Sequence, residues 1–219
     1  MKVLLWVIVT LVVIFGGYAI YESQSASTAT PVTTATTTAT TTANLPEIIP
    51  GTPSVMYSDP QFGFSIYYPS TTVLETTGFD GFLPLTQTPV IGLKLSPDLY
   101  QGTNLTEAGV YIGATTTPSI VSACMSPSAS SGETEASSTA AIGAAQFAVF
   151  DSTGVGAGNI YQEKAFRTVQ SGTCFEIVEL LHSGQIANYP SGSVTAFDET
   201  KFSGILDAMV NTFAFKKVQ

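Results

Sequence analysis

Few side chains in this sequence are suited to chemistry, and most of them crowd between residues 124 and 182. Cys124 and Cys174 are its two cysteines and His182 its one histidine. Glu163, Glu176 and Glu179 share the stretch "EKAFRTVQSGTCFEIVELLH" (163–182) with Lys164 and Arg167. Cys174 with His182 would pair a thiol nucleophile with a base. On a strand these two share a face but stand about 27 Å apart at roughly 3.4 Å per residue, so they cannot hydrogen-bond. Glu179 and His182 would meet on a helix and could ligate a metal there, whereas on a strand they point to opposite faces. One histidine is in any case a thin basis for zinc. Glu163 and Glu176, on neighbouring strands, could face each other as the acids of a glycoside hydrolase, which needs carboxyls about 5–9.5 Å apart across an open cleft. Ion pairing with Lys164 or Arg167 is the plainer use of the same residues. Asp151 and Asn159 are candidate calcium ligands without EF-hand spacing. No G-x-S-x-G or S-x-x-K occurs, and "GVGAG" (154–158) lacks the following Lys of a phosphate loop. No residue is therefore assigned to catalysis, a metal or a cofactor, and the expectation is a protein that is not an enzyme.

The N-terminal half of the story concerns location. Residues 3–21, "VLLWVIVTLVVIFGGYAIY", carry no charge, and as a helix they would cover about 28 Å, close to the hydrocarbon thickness of a bilayer. Lys2 before the span and Glu22 after it leave the N-terminus in the cytoplasm by the positive-inside bias. A cleaved signal peptide is the alternative, although its apolar core is usually shorter. Ser, Thr and Ala then dominate residues 23–43. Such a stretch has nothing large to bury and reads as a stalk, and "NLPEIIPGTP" (44–53) closes it. The expected organisation is a transmembrane signal-anchor at 1–22, a disordered stalk at 23–53 and one extracytoplasmic domain at 54–219, with the membrane as a partner through the N-terminal helix.

Export changes the meaning of the cysteines. An even count in an oxidising compartment favours a Cys124–Cys174 disulfide. Closing about 50 residues is worth roughly 4 kcal/mol in the chain-entropy treatment. Charge narrows the partners: 7 Lys and Arg stand against 16 Asp and Glu, a formal net charge of −9. Nucleic acid, which is gripped through Lys and Arg on its phosphates, is excluded as an expected partner. "NLT" (104–106) fits an N-glycosylation acceptor in a host that has the machinery.

The elements that must position these residues are mostly strands. In "YSDPQFGFSIYYPS" (57–70), Phe62, Phe64, Ile66 and Tyr68 alternate with smaller residues until Pro69. Further strands are predicted at 90–95, 109–115, 145–151, 159–169 and 173–182, the last apolar on both faces as befits the centre of a covered sheet. "DSTGVGAGN" (151–159) reads as a hairpin loop needing positive φ at glycine, and "SPSASSGETEASS" (126–138) as a mobile surface excursion. A short helix is predicted at 118–125 with Pro118 in its first turn. A stronger one is predicted at 198–213, where Asp198 caps a stripe of Phe202, Ile205, Leu206, Met209, Val210 and Phe213.

The pattern "Y-x-D-x-x-x-G-F-S-I-x-Y-P" near the domain start, the antiparallel strands, and a last helix running into "VNTFAF" together resemble PsbP-like domains, across roughly residues 54–217. The closest likeness is to small membrane-anchored exported bacterial proteins. The resemblance implies an α+β fold, an antiparallel sheet flanked by helices in an α/β/α sandwich, in which Asp59 to Pro69 is the first strand. It also implies an extrinsic, non-enzymatic role beside a membrane complex, and no functional residue is carried over. The expected function is a membrane-anchored binding or assembly module of the cell envelope, engaging an envelope protein or surface partner. One alternative is an envelope glycan hydrolase using Glu163 and Glu176. Another is a small-ligand binding domain, with Tyr57, Tyr67, Tyr111, Tyr161 and Tyr189 as candidate pocket walls.

Overall fold

In a computed structural model of the chain, residues 45–128, 131–133 and 136–216 are described. The predicted membrane span and the stalk to residue 43 lie outside the described residues. Among those that are described, no helix is long and apolar enough to cross a membrane.

The strands form two antiparallel sheets rather than the single one expected. The larger has seven strands, in the order β3 (Val73–Glu75), β4 (Pro89–Lys94), β5 (Leu105–Thr115), β9 (Thr173–Gly184), β8 (Asn159–Gln170), β7 (Ala145–Gly156) and β6 (Ser138–Ile142). The smaller orders β1 (Ser54–Asp59), β2 (Phe64–Pro69) and β10 (Ala214–Phe215). Between β10 and the large sheet's last strand comes the main helix, α2 (Glu199–Val210), and the short α1 (Pro118–Ala123) follows β5.

The first predicted strand is found as β2, ending at Pro69, but it is the second arm of a hairpin whose first arm, β1, was not predicted. The aromatic alternation begins inside the turn: Asp59 Oδ1 accepts from the Phe62 amide at 2.6 Å, and Gly63 takes φ +68°. The two end motifs that carried the family resemblance also meet. Phe215 pairs with Phe64 and Ala214 with Ser65, and the Phe64 and Phe213 rings stack at 5.1 Å. Each such fully buried phenylalanine contributes roughly 1.5–3 kcal/mol. Domain packing also begins before residue 54: Ile48, placed in the linker by composition, is 6% exposed within the main core.

Two cores lie on the two faces of the large sheet. On one face Phe175, Ile177 and Leu181 of β9 and Phe166 of β8 pack against Phe202, Leu206 and Met209 of α2 and Phe64 of β2. Asp198 caps α2 by accepting from the Lys201 amide at 3.0 Å, as its sequence predicts. On the other face Val178, Leu180, Ala165 and Tyr111 lie under Phe79 and Leu83 from the β3–β4 connection. That second face carries α1 and irregular loops, so the expected α/β/α sandwich has a full helical layer on one side only. Cys124, after α1, is bonded to Cys174 at the start of β9.

The long central strands are joined by tight turns. The β7–β8 hairpin closes on Ala157 and Gly158 at φ +49° and +82°, two positive values in a row, as a type I′ turn requires. The predicted nine-residue loop (151–159) is therefore mostly strand.

Candidate functional site

Strand parity decides where each reactive residue goes. On β8, Glu163 and Arg167 share a face, while Lys164 points through the sheet to the other. On β9, Glu176 and His182 fall with Arg167, and Glu179 falls with Lys164 under α2.

Arg167 and Glu176, each wholly buried, form the centre of a network on the loop-covered face. Arg167 Nε donates to Glu176 Oε1 at 2.8 Å. Its Nη1 and Nη2 donate to the two oxygens of Glu133, both at 2.7 Å. Glu176 Oε2 also accepts from the Thr86 amide at 2.8 Å and from Thr86 Oγ1 at 2.9 Å. Phe150 stacks beneath the guanidinium, 4.6 Å from the ring centroid. The excursion read as a mobile loop is thus pinned through Glu133, a residue its Ser- and Gly-rich composition concealed. Gly113 has no side chain for a spatial reason, because a Cβ there would stand 2.2 Å from Thr86 Oγ1.

This arrangement removes the acid pair. Glu163 lies opposite Leu180 and Arg167 opposite Glu176, so the two acids are separated by four residues of strand, roughly 14 Å. Glu176 faces no cleft and its oxygens are already engaged. Glu163 takes a 3.3 Å hydrogen bond from Ser152 Oγ, and burial raises its pKa despite that bond.

The other candidates separate as well. Glu179 and His182 point to opposite faces, and His182 stacks on Tyr161 at 4.2 Å with Nε2 3.0 Å from Asn159 Oδ1. Asn159 is opposite Gly156 while Asp151 is opposite Lys164, so the proposed calcium ligands stand about 17 Å apart along the hairpin. Asn104 is 7% exposed, with Nδ2 donating to the Gly184 carbonyl at 2.7 Å and Oδ1 accepting from the Phe197 amide. Its amide nitrogen is therefore a strut of the folded domain rather than a surface acceptor. Of the five tyrosines, Tyr111 is wholly buried and bonded to Glu107, and none lines the groove described next.

Under α2 the sheet leaves a polar groove of about 190 Å³, bounded by Asp151, Lys164, Glu179, Glu199, Ser203 and Leu206. Gln162 Nε2 donates to Glu199 Oε1 at 2.9 Å and bridges strand to helix. Lys164 Nζ lies 2.8 Å from Asp207 Oδ1 and 3.4 Å from Glu179 Oε2. Burial alone would lower the lysine, but the Asp207 hydrogen bond and both carboxylates leave its pKa raised. Glu179 is 5% exposed and its Oε1 has no hydrogen-bond partner. Burial pushes its pKa up to about 8 against the pull of Lys164, and the charge of Asp207 adds to the rise. Among the described residues no three His, Cys, Asp or Glu converge as metal ligands. The groove escaped the sequence reading, although parity held the signal: Glu179 sits on the same face as Phe175, Ile177 and Leu181, a carboxylate at a core position.

No family model matches the chain, and no curated protein matches it. Solved structures do. Cyanobacterial PsbP (CyanoP) from Synechocystis sp. PCC 6803 is 13% identical, with a TM-score of 0.43 over 74% of this chain and 92% of that one. LpqN, involved in cell envelope biogenesis of Mycobacterium tuberculosis, is 8% identical, with a TM-score of 0.40 over 76% and 92%. A Bacteroides thetaiotaomicron VPI-5482 protein is 14% identical at a TM-score of 0.41 over 74% of this chain, which spans about half (48%) of that protein. Likeness at this level transfers no residue role.

Proposed function

We propose that this chain is a membrane-anchored module of the cell envelope, displayed outside the cytoplasm on its Ser/Thr/Ala stalk, and that it works by binding rather than by catalysis. The observation that carries this reading is how the reactive residues are used. The two cysteines are bonded to each other, Arg167, Glu133 and Glu176 are consumed in one buried network, and His182 is stacked on Tyr161. These commitments hold strands and loops together and leave no free thiol and no facing Glu163–Glu176 pair among the described residues. The apolar stretch 3–21 and the stalk add tether and reach without chemistry.

The test uses the full chain in its own membranes. The domain should sediment with membranes through alkaline washing, be released by protease added from outside, and crosslink there to a reproducible envelope component. A chain that stays soluble after cell breakage, or one that turns over an envelope glycan, contradicts the proposal.

A further inference from the structure

We propose that the groove beneath α2 is a binding site for a primary ammonium group on a short aliphatic stem, received by Glu179. This deepens the binding reading and rests on it only for the site's purpose; the chemistry stands on the groove itself.

Charge fixes the sign of the ligand. Asp151, Glu163, Glu179 and Glu199 line the groove with Lys164 as the one cation among the described residues, and that lysine is already held by Asp207 and Glu179. An anion would meet a mostly acidic lining and one already occupied ammonium. A hard divalent cation requires six or more converging oxygens, and no such cluster exists among the described residues. Hydrogen bonding fixes the type of group. Glu179 is 95% buried, yet Oε1 lacks a donor, and a buried polar atom without a partner is costly. An N–H donor satisfies it, and a positive one also offsets the burial that opposes the carboxylate charge. Size and lining fix the stem. About 190 Å³ is several times the share of one water in the liquid, roughly 30 Å³. Leu181 and Leu206 provide apolar wall for methylenes beside the polar rim. Lys164 already shows the mode, since its own ammonium bridges Glu179 and Asp207 from inside the domain.

Binding is then linked to protons. The groups facing Glu179 are Asp151 from β7, Lys164 from β8, and Glu199 and Asp207 from α2; β5 presents Val110 opposite it, and Glu163 borders the same groove but by strand parity sends its carboxyl to the other face, where Ser152 donates to it. The protonated carboxyl must ionise to receive an ammonium, so occupancy releases a proton from Glu179 to solvent below its folded pKa of about 8.

Calorimetry on the full chain in detergent tests this, with cadaverine and Nα-acetyl-lysine amide as probes and choline as a cation without N–H donors. Saturable binding of an amine is expected, with release of up to about one proton near pH 6.5 and little near pH 9. Glu179→Gln should weaken it by about tenfold or more. Ser203→Phe, which fills the groove without altering charge, should abolish it. Tighter binding of the amide identifies a peptide lysine as the natural donor, and tighter binding of cadaverine a free polyamine; either supports the site. No saturable amine binding, equal binding of choline, or binding unchanged in both variants of intact fold overturns it. Any of those failures leaves membrane display and crosslinking as they were, so the broader reading is judged separately.

Discussion

Arg167 and Lys164 stand three residues apart on β8 and meet carboxylates three residues apart on β9, Glu176 and Glu179, yet the two pairs are built for different ends. Because three is odd, they lie on opposite faces of the same two strands. On the loop-covered face the fork of Arg167 is filled by two carboxylates, and Glu176 takes additional donors from Thr86. On the helix-covered face a flexible lysine reaches Asp207 and only one oxygen of Glu179, leaving the other unmet beside an open groove. A saturated network fixes structure, since nothing remains for a ligand to add. An unsaturated one around a buried oxygen keeps free energy in reserve for whatever completes it.

Breaking the saturated side should have the largest effect. Arg167→Met leaves Glu133 and Glu176 as uncompensated buried charges, and the expected loss is about 3–5 kcal/mol in urea unfolding of the full chain. Removing one partner of the Lys164 cluster at its exposed end, Asp207→Asn, should cost well under half of that, and similar losses at both sites would dissolve the distinction between the faces.

Cutting the disulfide comes next. Cys124 and Cys174 are separated by 50 residues, so replacing both with serine should remove about 2–4 kcal/mol. Because α1 and the loop after it then lose their covalent tie and keep polar contacts such as those of Glu133 and Ser126 with Arg167, amide exchange should rise first around residues 118–128, before the helix-covered face responds.

The pH dependence sharpens the comparison on the other side. Glu179 keeps its proton in the folded chain up to about pH 8, whereas the ordinary value is 4.5. Its stabilising contribution is therefore complete below about 4.5 and is lost as pH rises through 8. The expected change is on the order of 5 kcal/mol across that window. Glu179→Gln should flatten this slope in unfolding measured at several pH values; a slope kept by the variant would place the titration elsewhere. The smallest effect is expected at the surface: His182→Ala loses a stacked pair with Tyr161 and the Asn159 contact, about 0.5–1.5 kcal/mol, with no change in either buried cluster.

Much of the scaffold was readable from residues alone, for identifiable reasons. Helix α2 announced itself because an Asp cap and an apolar stripe at helical spacing agree. Strands β7 to β9 did so because their apolar residues alternate or fill both faces. Where several signals conflict, the reading failed. The aromatic alternation of 62–68 begins inside the β1–β2 turn at Phe62, so period alone could not see where Asp59 and Gly63 start the strand. Strand β6, "STAAI", is made mostly of small residues and, following directly on the excursion, was not predicted. Ile48 looked like linker because prolines flank it, and only its burial against the core reveals its place. At the candidate site, the disulfide followed from cysteine count and the expectation of export, but the groove did not follow from any motif. It depends on where α2 lands over β8 and β9, a tertiary fact, although a glutamate in phase with Phe175, Ile177 and Leu181 was the available warning.

The most direct measurement is the pH titration of the Glu179 carboxyl by carbon NMR in the full chain, assigned by its disappearance in Glu179→Gln, without and with cadaverine. The expected midpoint lies near 8 and moves down when the amine is added. A midpoint close to the ordinary 4.5, unmoved by the amine, would mean that Glu179 is already satisfied and that the two faces of the sheet are both merely structural.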